Sequence, residues 1–150
     1  VNPAAVSDDY GEYFEVYNNF GDDVDLSGLE YSDNADTDTI SETTVLPADG
    51  YFVFGVDSDT TINGGVDVDV DWAGLALSNS GDFITLVAGT TTIDEVDYST
   101  FSISAGESLS LSPGLDASDN DDEANWCEAS STYGDGDYGT PGFENDVCPE

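Results

Sequence analysis

The sequence predicts an all-β protein, a sandwich or a barrel built from roughly seven to nine short strands. Two features of the sequence support this fold class. No long stretch has the periodicity of an amphipathic helix, and short apolar runs instead alternate with turn sequences rich in Gly, Asn, Asp and Ser. Because 150 residues is a common length for one compact unit, we expect residues 1–150 to form a single domain.

The first half of the chain contains a series of predicted strands. Residues 13–17 alternate in the manner of a strand, and after a turn the extended chain resumes at 24–26. Residues 29–31 form another short strand, which ends in a polar loop at 32–39. The run 51–55 is apolar on both faces, and this pattern predicts a central strand.

The run 66–72 alternates strictly between apolar and acidic residues. Its valines and Trp72 are predicted to face the core, while Asp67, Asp69 and Asp71 share the opposite face. Such a ladder of like charges costs stability unless a counterion lies on it, and it also protects an edge from unwanted pairing.

The remaining strands are short. Residues 83–87 and 92–98 are predicted to form a hairpin across residues 88–90, and 108–111 forms one more strand. The stretch 113–150 is predicted to be mostly loop.

The charge balance is strongly acidic. The chain contains 34 Asp and Glu residues and no Lys, Arg or His, which gives a formal charge of −34 at pH 7. Two carboxylates about 4 Å apart repel each other by about 1 kcal/mol in water and by more when partly buried. This repulsion opposes the compact state. We therefore expect the fold to need positive charge from solution, as salt screening or as bound cations, with Ca²⁺ as the expected cofactor.

The same composition argues against several functions. Nucleic-acid binding depends on Lys and Arg replacing phosphate counterions, and anionic membranes repel an acidic surface. The sequence lacks the His and Lys residues of Ser–His–Asp triads and of the usual general bases. Carboxylate pairs of the kind that glycosidases use arise by chance among 34 acidic residues. We predict no enzymatic activity, no nucleic-acid partner and no membrane insertion.

The two cysteines, Cys127 and Cys148, predict a disulfide. It would close a loop of about 22 residues and stabilise the fold by roughly 3 kcal/mol; the alternative is a pair of unrelated reduced thiols. Disulfides persist in oxidising compartments, and neither a signal peptide nor an apolar run near 18 residues long is present. We therefore expect a processed chain that is secreted, extracellular or displayed at the cell surface.

Several motifs, in order along nearly the whole chain, resemble the lamin-tail domain family as it occurs in secreted bacterial proteins. These are GEYFEVYN at 11–18, VDLSGL at 24–29, LPADGY at 46–51, LSNSGD at 77–82, IDEVDY at 93–98, NW at 125–126 and GTPG at 139–142. The resemblance implies an immunoglobulin-like β-sandwich without catalytic residues that acts as an attachment or interaction module.

The sequence departs from the family pattern at its start. Family members usually have an apolar strand just before the segment that here begins Val1-Asn2-Pro3. A sandwich without this edge strand exposes apolar surface and unpaired backbone groups. One hypothesis is that a neighbouring chain fills the gap, which would make the protein a subunit of an assembly. The alternative is that the fold closes without the strand.

Four acidic loops are candidate Ca²⁺ sites, because Ca²⁺ takes six to eight oxygen ligands in flexible geometry. None of them fits the EF-hand pattern, and the alternative for each is a solvated acidic surface. The candidate ligands are Asp33, Asp36, Asp38, Asp57, Asp59, Asp119, Asp121, Asp122, Glu123, Asp135 and Asp137.

Two functions are consistent with these observations. The first is a non-enzymatic extracellular structural or assembly module, such as a fibre or surface-layer subunit, in which divalent cations neutralise carboxylates within or between self-associating subunits. The second is a calcium-dependent adhesion module that binds surface glycans or cells. For the second, Tyr133 and Tyr138 beside Asp135 and Asp137 are a candidate binding patch.

Overall fold

The computed structural model describes residues 2–72 and 74–149, so Val1, Ala73 and Glu150 lie outside the described residues. The all-β prediction is confirmed, since these residues include only a four-residue α-helix and one 3₁₀ turn, Glu123–Asn125. The elements are α1 (Asp8–Gly11), β1 (Tyr13–Tyr17), β2 (Val24–Asp25), β3 (Leu29–Ser32), β4 (Thr37–Thr39), β5 (Val45–Leu46), β6 (Tyr51–Gly55), β7 (Val70–Asp71), β8 (Phe83–Ala88), β9 (Thr91–Asp97), β10 (Leu109–Leu111), β11 (Trp126–Glu128), β12 (Thr132–Tyr133) and β13 (Asp137–Tyr138).

The strand count is higher than predicted. The described residues form 13 strands, of which five, namely β2, β5, β7, β12 and β13, contain only two residues. Pairs this short leave almost no period-two pattern in a sequence. Six of the eight longer strands match predicted runs, whereas β4 and β11 lie in predicted loops.

Two sheets form the sandwich. One has the order β1–β6–β7, with β6 central as predicted, antiparallel to β1 and parallel to β7. The other is the antiparallel sheet β4–β3–β8–β9, which contains the predicted hairpin β8–β9. No helix among the described residues is long and apolar enough to cross a membrane.

The predicted loop at 32–39 is wrong in its second half, which is strand β4, paired with β3. Asp33 makes the turn between the two strands, because its Oδ1 accepts hydrogen bonds from the N–H groups of Ala35 and Asp36, each at 2.7 Å. An Asx turn of this kind reverses the chain within a polar segment that lacks the hydrophobic signal of a strand.

Aromatic rings from both sheets fill the space between them. Phe14 of β1 stacks on Phe54 of β6, with ring centroids 4.5 Å apart, and on Trp72 at 5.7 Å. Tyr31 of β3 packs against Phe54 at 4.8 Å and is 1% exposed. Burying large aromatic side chains in this way supplies much of the hydrophobic stabilisation of a small sandwich.

The acidic run 66–72 shows the predicted alternation of burial, with Val66 and Trp72 buried and the three aspartates exposed. Only Val70–Asp71 is a strand, however. The reason is visible at Asp69, whose N–H donates to the carbonyl of Val53 while its carboxylate accepts the Val53 N–H at 2.8 Å. The Asp69 carboxylate thus accepts the Val53 N–H that a backbone carbonyl of a neighbouring strand would otherwise accept.

The C-terminal stretch is more ordered than the predicted loop. It contains three short strands, and the predicted disulfide is present, with the sulfurs of Cys127 and Cys148 bonded and their Cα atoms 5.5 Å apart. The stretch packs on the outer face of β1, where the Tyr133 ring meets the edge of Tyr13 at 6.0 Å and Gly142 donates its N–H to Glu15. It therefore forms a third layer over the sandwich.

Candidate cation sites

The predicted Ca²⁺ ligands lie in four separate places and are not brought together. Among residues 2–72 and 74–149, no three acidic or cysteine side chains lie close enough together to hold a metal ion. In each loop, carboxylates instead accept hydrogen bonds from nearby backbone N–H groups.

The first loop is organised by Asp33. Besides its two turn bonds, its Oδ2 accepts the N–H of Ala76, 43 residues later, at 2.9 Å. Burial raises the pKa of Asp33, but the N–H groups of Ala76, Asp36 and Ala35 outweigh burial, so the pKa lies below its ordinary value. Asp36 is exposed, and the Asp38 carboxylate accepts the N–H of Thr39 at 2.7 Å.

The second loop is organised by an asparagine that the sequence analysis did not single out. Asn63 is 2% exposed, and its side-chain amide forms four hydrogen bonds, with Asp57, Gly65 and both backbone groups of Val66. Asp57 and Asp59 remain at the rim, where Asp57 accepts the Asp59 N–H at 2.8 Å and Asp59 accepts the N–H and hydroxyl of Thr61. An internal amide thus holds the loop together.

The third loop contains Asp119, Asp121, Asp122 and Glu123. Asp122 caps the 3₁₀ turn by accepting the N–H of Ala124 at 3.0 Å, and Glu123 accepts the N–H of Ser102 at 3.3 Å. Asp119 accepts the N–H of Asp116 at 3.3 Å. The charge of Asp121 adds to burial in raising the pKa of Asp94 on β9.

The fourth loop separates its two aspartates. Asp135 is exposed, whereas Asp137 is 7% exposed and accepts the N–H groups of Ala4 and Ala5, each at 3.0 Å. Asp137 therefore fastens the N-terminal segment to β13. Of the two tyrosines predicted to form a patch here, Tyr133 is half-buried against Tyr13 and Tyr138 is exposed.

One arrangement recurs in many of these loops, namely an aspartate that accepts the N–H of the residue two positions later. It occurs at Asp25, Asp33, Asp57, Asp59, Asp97, Asp116 and Asp122. Where a Ser or Thr hydroxyl also donates, as at Asp25, Asp59, Asp97 and Asp116, the hydroxyl bond lowers the pKa of the carboxyl. Backbone dipoles thus offset part of the charge that basic side chains offset in other proteins.

An acidic recess lies between the edge strands β4 and β7. Its volume is about 350 Å³, and the buried ring of Tyr31 lies in its wall. Burial and the neighbouring Asp38 charge raise the pKa of Tyr31, which keeps the hydroxyl neutral. The recess is lined by the acidic residues Asp38, Glu42, Asp69 and Asp71 and by the hydroxyl-bearing residues Thr39, Ser41 and Thr44.

Two glutamates beside β1 have strongly raised pKa values. Burial raises the pKa of Glu12 to about 7, although its carboxylate accepts the N–H of Leu77 at 3.0 Å. Burial likewise raises the pKa of Glu15 to about 7, against the opposing bond from Gly142. Each carboxyl therefore joins β1 to a distant segment that covers it.

Comparisons with known proteins do not identify the chain. No protein-family model matches it, and no curated protein or solved structure matches it. The resemblance to lamin-tail domains therefore remains a prediction from the order of the motifs.

Proposed function

We propose that the protein is a non-enzymatic extracellular structural module whose folded state depends on cations from solution, Ca²⁺ among them. The observation that carries this proposal is the combination of 34 carboxylates with no basic side chain. Backbone N–H groups provide the internal compensation at the acidic loops, and each such bond offsets only part of a unit charge. The remaining repulsion has to be screened from outside.

The acidic recess between β4 and β7 is where divalent cations are proposed to concentrate. Four carboxylates line a volume of about 350 Å³ there. Walls of low dielectric focus the potential of such a group and raise the local concentration of counterions. Ca²⁺ suits this setting because it accepts oxygen ligands in irregular geometry and keeps water in its coordination shell.

The chemistry of the raised-pKa residues supports a non-enzymatic role. A carboxyl with a pKa near 7 can serve as a general acid or base when it faces a substrate. Glu12 and Glu15 are instead bonded to Leu77 and Gly142, and a covering segment lies over each. They are therefore proposed to stabilise the contacts between layers rather than to transfer protons to a substrate.

An extracellular location is supported by the disulfide between Cys127 and Cys148, because such bonds persist in oxidising surroundings. The absence of Lys and Arg from the sequence also removes every cleavage site for trypsin-like proteases. Both properties suit a long-lived component outside the cell.

Self-association is proposed to use the free edge of β1. Glu12 and Asn18 bond to Val56 and Gly50, the two residues that flank β6. By alternation, the backbone groups of Tyr13, Glu15 and Tyr17 therefore point away from β6. Among the described residues, the outward N–H and C=O groups of these three residues have no backbone partner. A strand from a neighbouring copy could pair there.

The edges of the other sheet are protected by contrast. On β4 the outward N–H of Thr39 is bonded to the Asp38 carboxylate, and on β9 the outward N–H of Glu95 is bonded to the Asp94 carboxylate at 2.9 Å. A carboxylate placed in this way blocks an incoming strand by occupying the donor that the strand needs. This difference between the edges favours β1 as the surface for assembly.

Light scattering and electron microscopy of concentrated protein test this proposal. Samples in CaCl₂ are compared with samples in NaCl of the same ionic strength. We expect oligomers or ordered fibres with Ca²⁺ and smaller species with Na⁺, because a divalent ion can bridge carboxylates of two copies. A monomer at every Ca²⁺ concentration would contradict the assembly role.

A second candidate function, calcium-dependent binding of glycans or cell surfaces, is favoured by an aromatic pair of which Tyr17 is exposed and Tyr51 half-buried. Tyr17 is 47% exposed and its ring lies 4.8 Å from that of Tyr51, while its hydroxyl donates to Asp49 at 3.2 Å. Aromatic faces beside a carboxylate suit the stacking and hydroxyl bonding of a sugar ring. A glycan array with and without Ca²⁺ tests this function, and Tyr17→Ala should abolish any hit.

A further inference from the structure

A small pocket with an aromatic wall lies between the chain that follows β9 and the paired strands β10 and β11. Its volume is about 220 Å³, and its apolar wall is formed by Phe101, Leu109 and Trp126. The rings of Phe101 and Trp126 have centroids 6.0 Å apart and are inclined by 55°. Two carboxylates, Glu123 and Glu128, complete the lining together with Ser102 and Cys127.

The indole of Trp126 is held in place before any ligand binds. Its Nε1–H donates to the carbonyl of Asn120 at 2.8 Å. On its backbone, Trp126 pairs with Leu111 of β10, and the next residue, Cys127, is anchored by the disulfide to Cys148. A ring fixed in this way loses little freedom on binding, which favours affinity.

The two carboxylates at this pocket have no basic side chain to compensate their charge. The contact with the Glu128 carboxyl raises the pKa of Glu107, a neighbouring residue outside the pocket lining. Glu123 is oriented toward the pocket wall by the N–H of Ser102, which donates to its Oε1 at 3.3 Å. A cation placed among these groups would compensate their charge directly.

We propose that this pocket binds the charged side chain of an arginine or lysine presented by a partner protein. An aromatic face attracts a cation through its quadrupole, most strongly when the ring is Trp. The carboxylates of Glu123 and Glu128 add charge-assisted hydrogen bonds. Arginine is preferred, because its planar guanidinium can stack on the indole and bond to a carboxylate at the same time.

Charge complementarity identifies the partner as a different protein. A second copy of this chain has no Lys or Arg to offer, so self-association leaves the pocket available. A formal charge of −34 also steers basic partners toward the surface at long range. The proposed pocket and the salt dependence of the fold are independent, and different measurements test them.

Nuclear magnetic resonance titration of the full ¹⁵N-labelled chain tests the proposal. The probe is the capped tripeptide Gly-Arg-Gly, and the control is the same peptide with neutral citrulline in place of arginine. We expect the arginine peptide to shift the backbone N–H signals of Ser102, Cys127 and Glu128 and the indole signal of Trp126. The citrulline peptide should bind at least about fivefold more weakly, because it keeps the shape and loses the charge.

Paired variants separate the pocket from general attraction to an acidic surface. The double change Glu123→Gln with Glu128→Gln should weaken arginine binding by about fivefold or more. The matched control, Asp36→Asn with Asp135→Asn, removes the same charge from two exposed positions outside the pocket and should change binding by less than about twofold. Trp126→Phe keeps an aromatic ring and should also weaken binding, because Phe attracts cations less strongly.

Three results would overturn the proposal. The first is a set of shifts spread over the acidic surface without clustering at the pocket. The second is equal weakening by the two double variants, which would indicate unspecific attraction. The third is equal binding of the arginine and citrulline peptides, which would assign the pocket to uncharged ligands.

Discussion

Glu15 on β1 accepts a hydrogen bond from the backbone N–H of Gly142 at 2.8 Å, across 127 positions of the chain. Together with the ring contact between Tyr13 and Tyr133, this bond joins the first strand to the C-terminal layer that covers it. Burial raises the pKa of the Glu15 carboxyl to about 7. The contact between the layers should therefore be sensitive to pH.

The first prediction concerns this pH dependence. Between about pH 4.5 and 7, Glu15 is ionised in the unfolded chain and protonated in the folded one, so its contribution to stability falls as pH rises. The variant Glu15→Gln keeps an acceptor for Gly142 and removes the ionisation. We expect it to match the wild type near pH 4 and to exceed it at pH 8 by about 1 to 3 kcal/mol in urea unfolding.

Glu144→Gln provides the control, because it removes a charge at an exposed position in the same segment. It should change the free energy of unfolding by less than about 0.5 kcal/mol at both pH values. A stability difference for Glu15→Gln that does not depend on pH would show that Glu15 is not protonated in the folded protein.

The second prediction concerns Asp137, which binds the N–H groups of Ala4 and Ala5. We expect Asp137→Ala to cost about 1.5 to 3 kcal/mol, because it removes charge-assisted bonds from a buried position. Hydrogen exchange of the Ala4 and Ala5 amides should accelerate strongly. The exposed neighbour Asp135 is the control, and Asp135→Ala should leave both amides protected. Unchanged exchange in Asp137→Ala would contradict this anchoring role.

The third prediction concerns Asn63, whose buried amide forms four hydrogen bonds within its loop. We expect Asn63→Ala to lower the free energy of unfolding by at least about 2 kcal/mol, since it leaves buried backbone groups unsatisfied. The exposed Asn79 donates one bond, to Asp8, and Asn79→Ala should cost less than about 0.5 kcal/mol. Equal costs for the two variants would refute the organising role of Asn63.

The fourth prediction concerns the disulfide. Replacing Cys127 and Cys148 by Ser should lower the free energy of unfolding by roughly 3 kcal/mol, because the cross-link restricts the unfolded chain. Thermal unfolding in the presence and absence of reductant measures the same quantity in the wild type. A stability that is unchanged by reduction would mean that the C-terminal layer is held by its other contacts alone.

Much of the sandwich could be predicted because its central strands have a clear hydrophobic pattern. Residues 51–55 are apolar on both faces and form the central strand β6, and the hairpin β8–β9 is marked by two β-rich runs around a glycine. Strand β4 was missed because Thr37-Asp38-Thr39 carries no apolar signal and depends on pairing with β3. The two-residue strands β5, β12 and β13 were missed for the same reason, whereas β2 and β7 fall within the predicted runs 24–26 and 66–72.

The acidic loops illustrate what a sequence alone does not reveal. Asp137 and Asp135 are separated by one residue and are chemically identical, yet one is buried against the N-terminal segment and the other is exposed. The pocket at Trp126 likewise depends on residues that are distant in sequence, such as Phe101 and Leu109. A dense acidic composition conceals such differences. Because every acidic loop contains carboxylates, the sequence does not show which of them are buried and hydrogen-bonded.

The most direct test of the central claim is thermal unfolding of metal-free protein at controlled ionic strength. The screening length falls from about 30 Å at 0.01 M salt to about 8 Å at 0.15 M. We predict a midpoint that rises by about 10 °C or more between these conditions in NaCl, which corresponds to a few kcal/mol, and that rises further in CaCl₂ of equal ionic strength. An identical midpoint in metal-free buffer, NaCl and CaCl₂ would contradict the dependence of the fold on external cations.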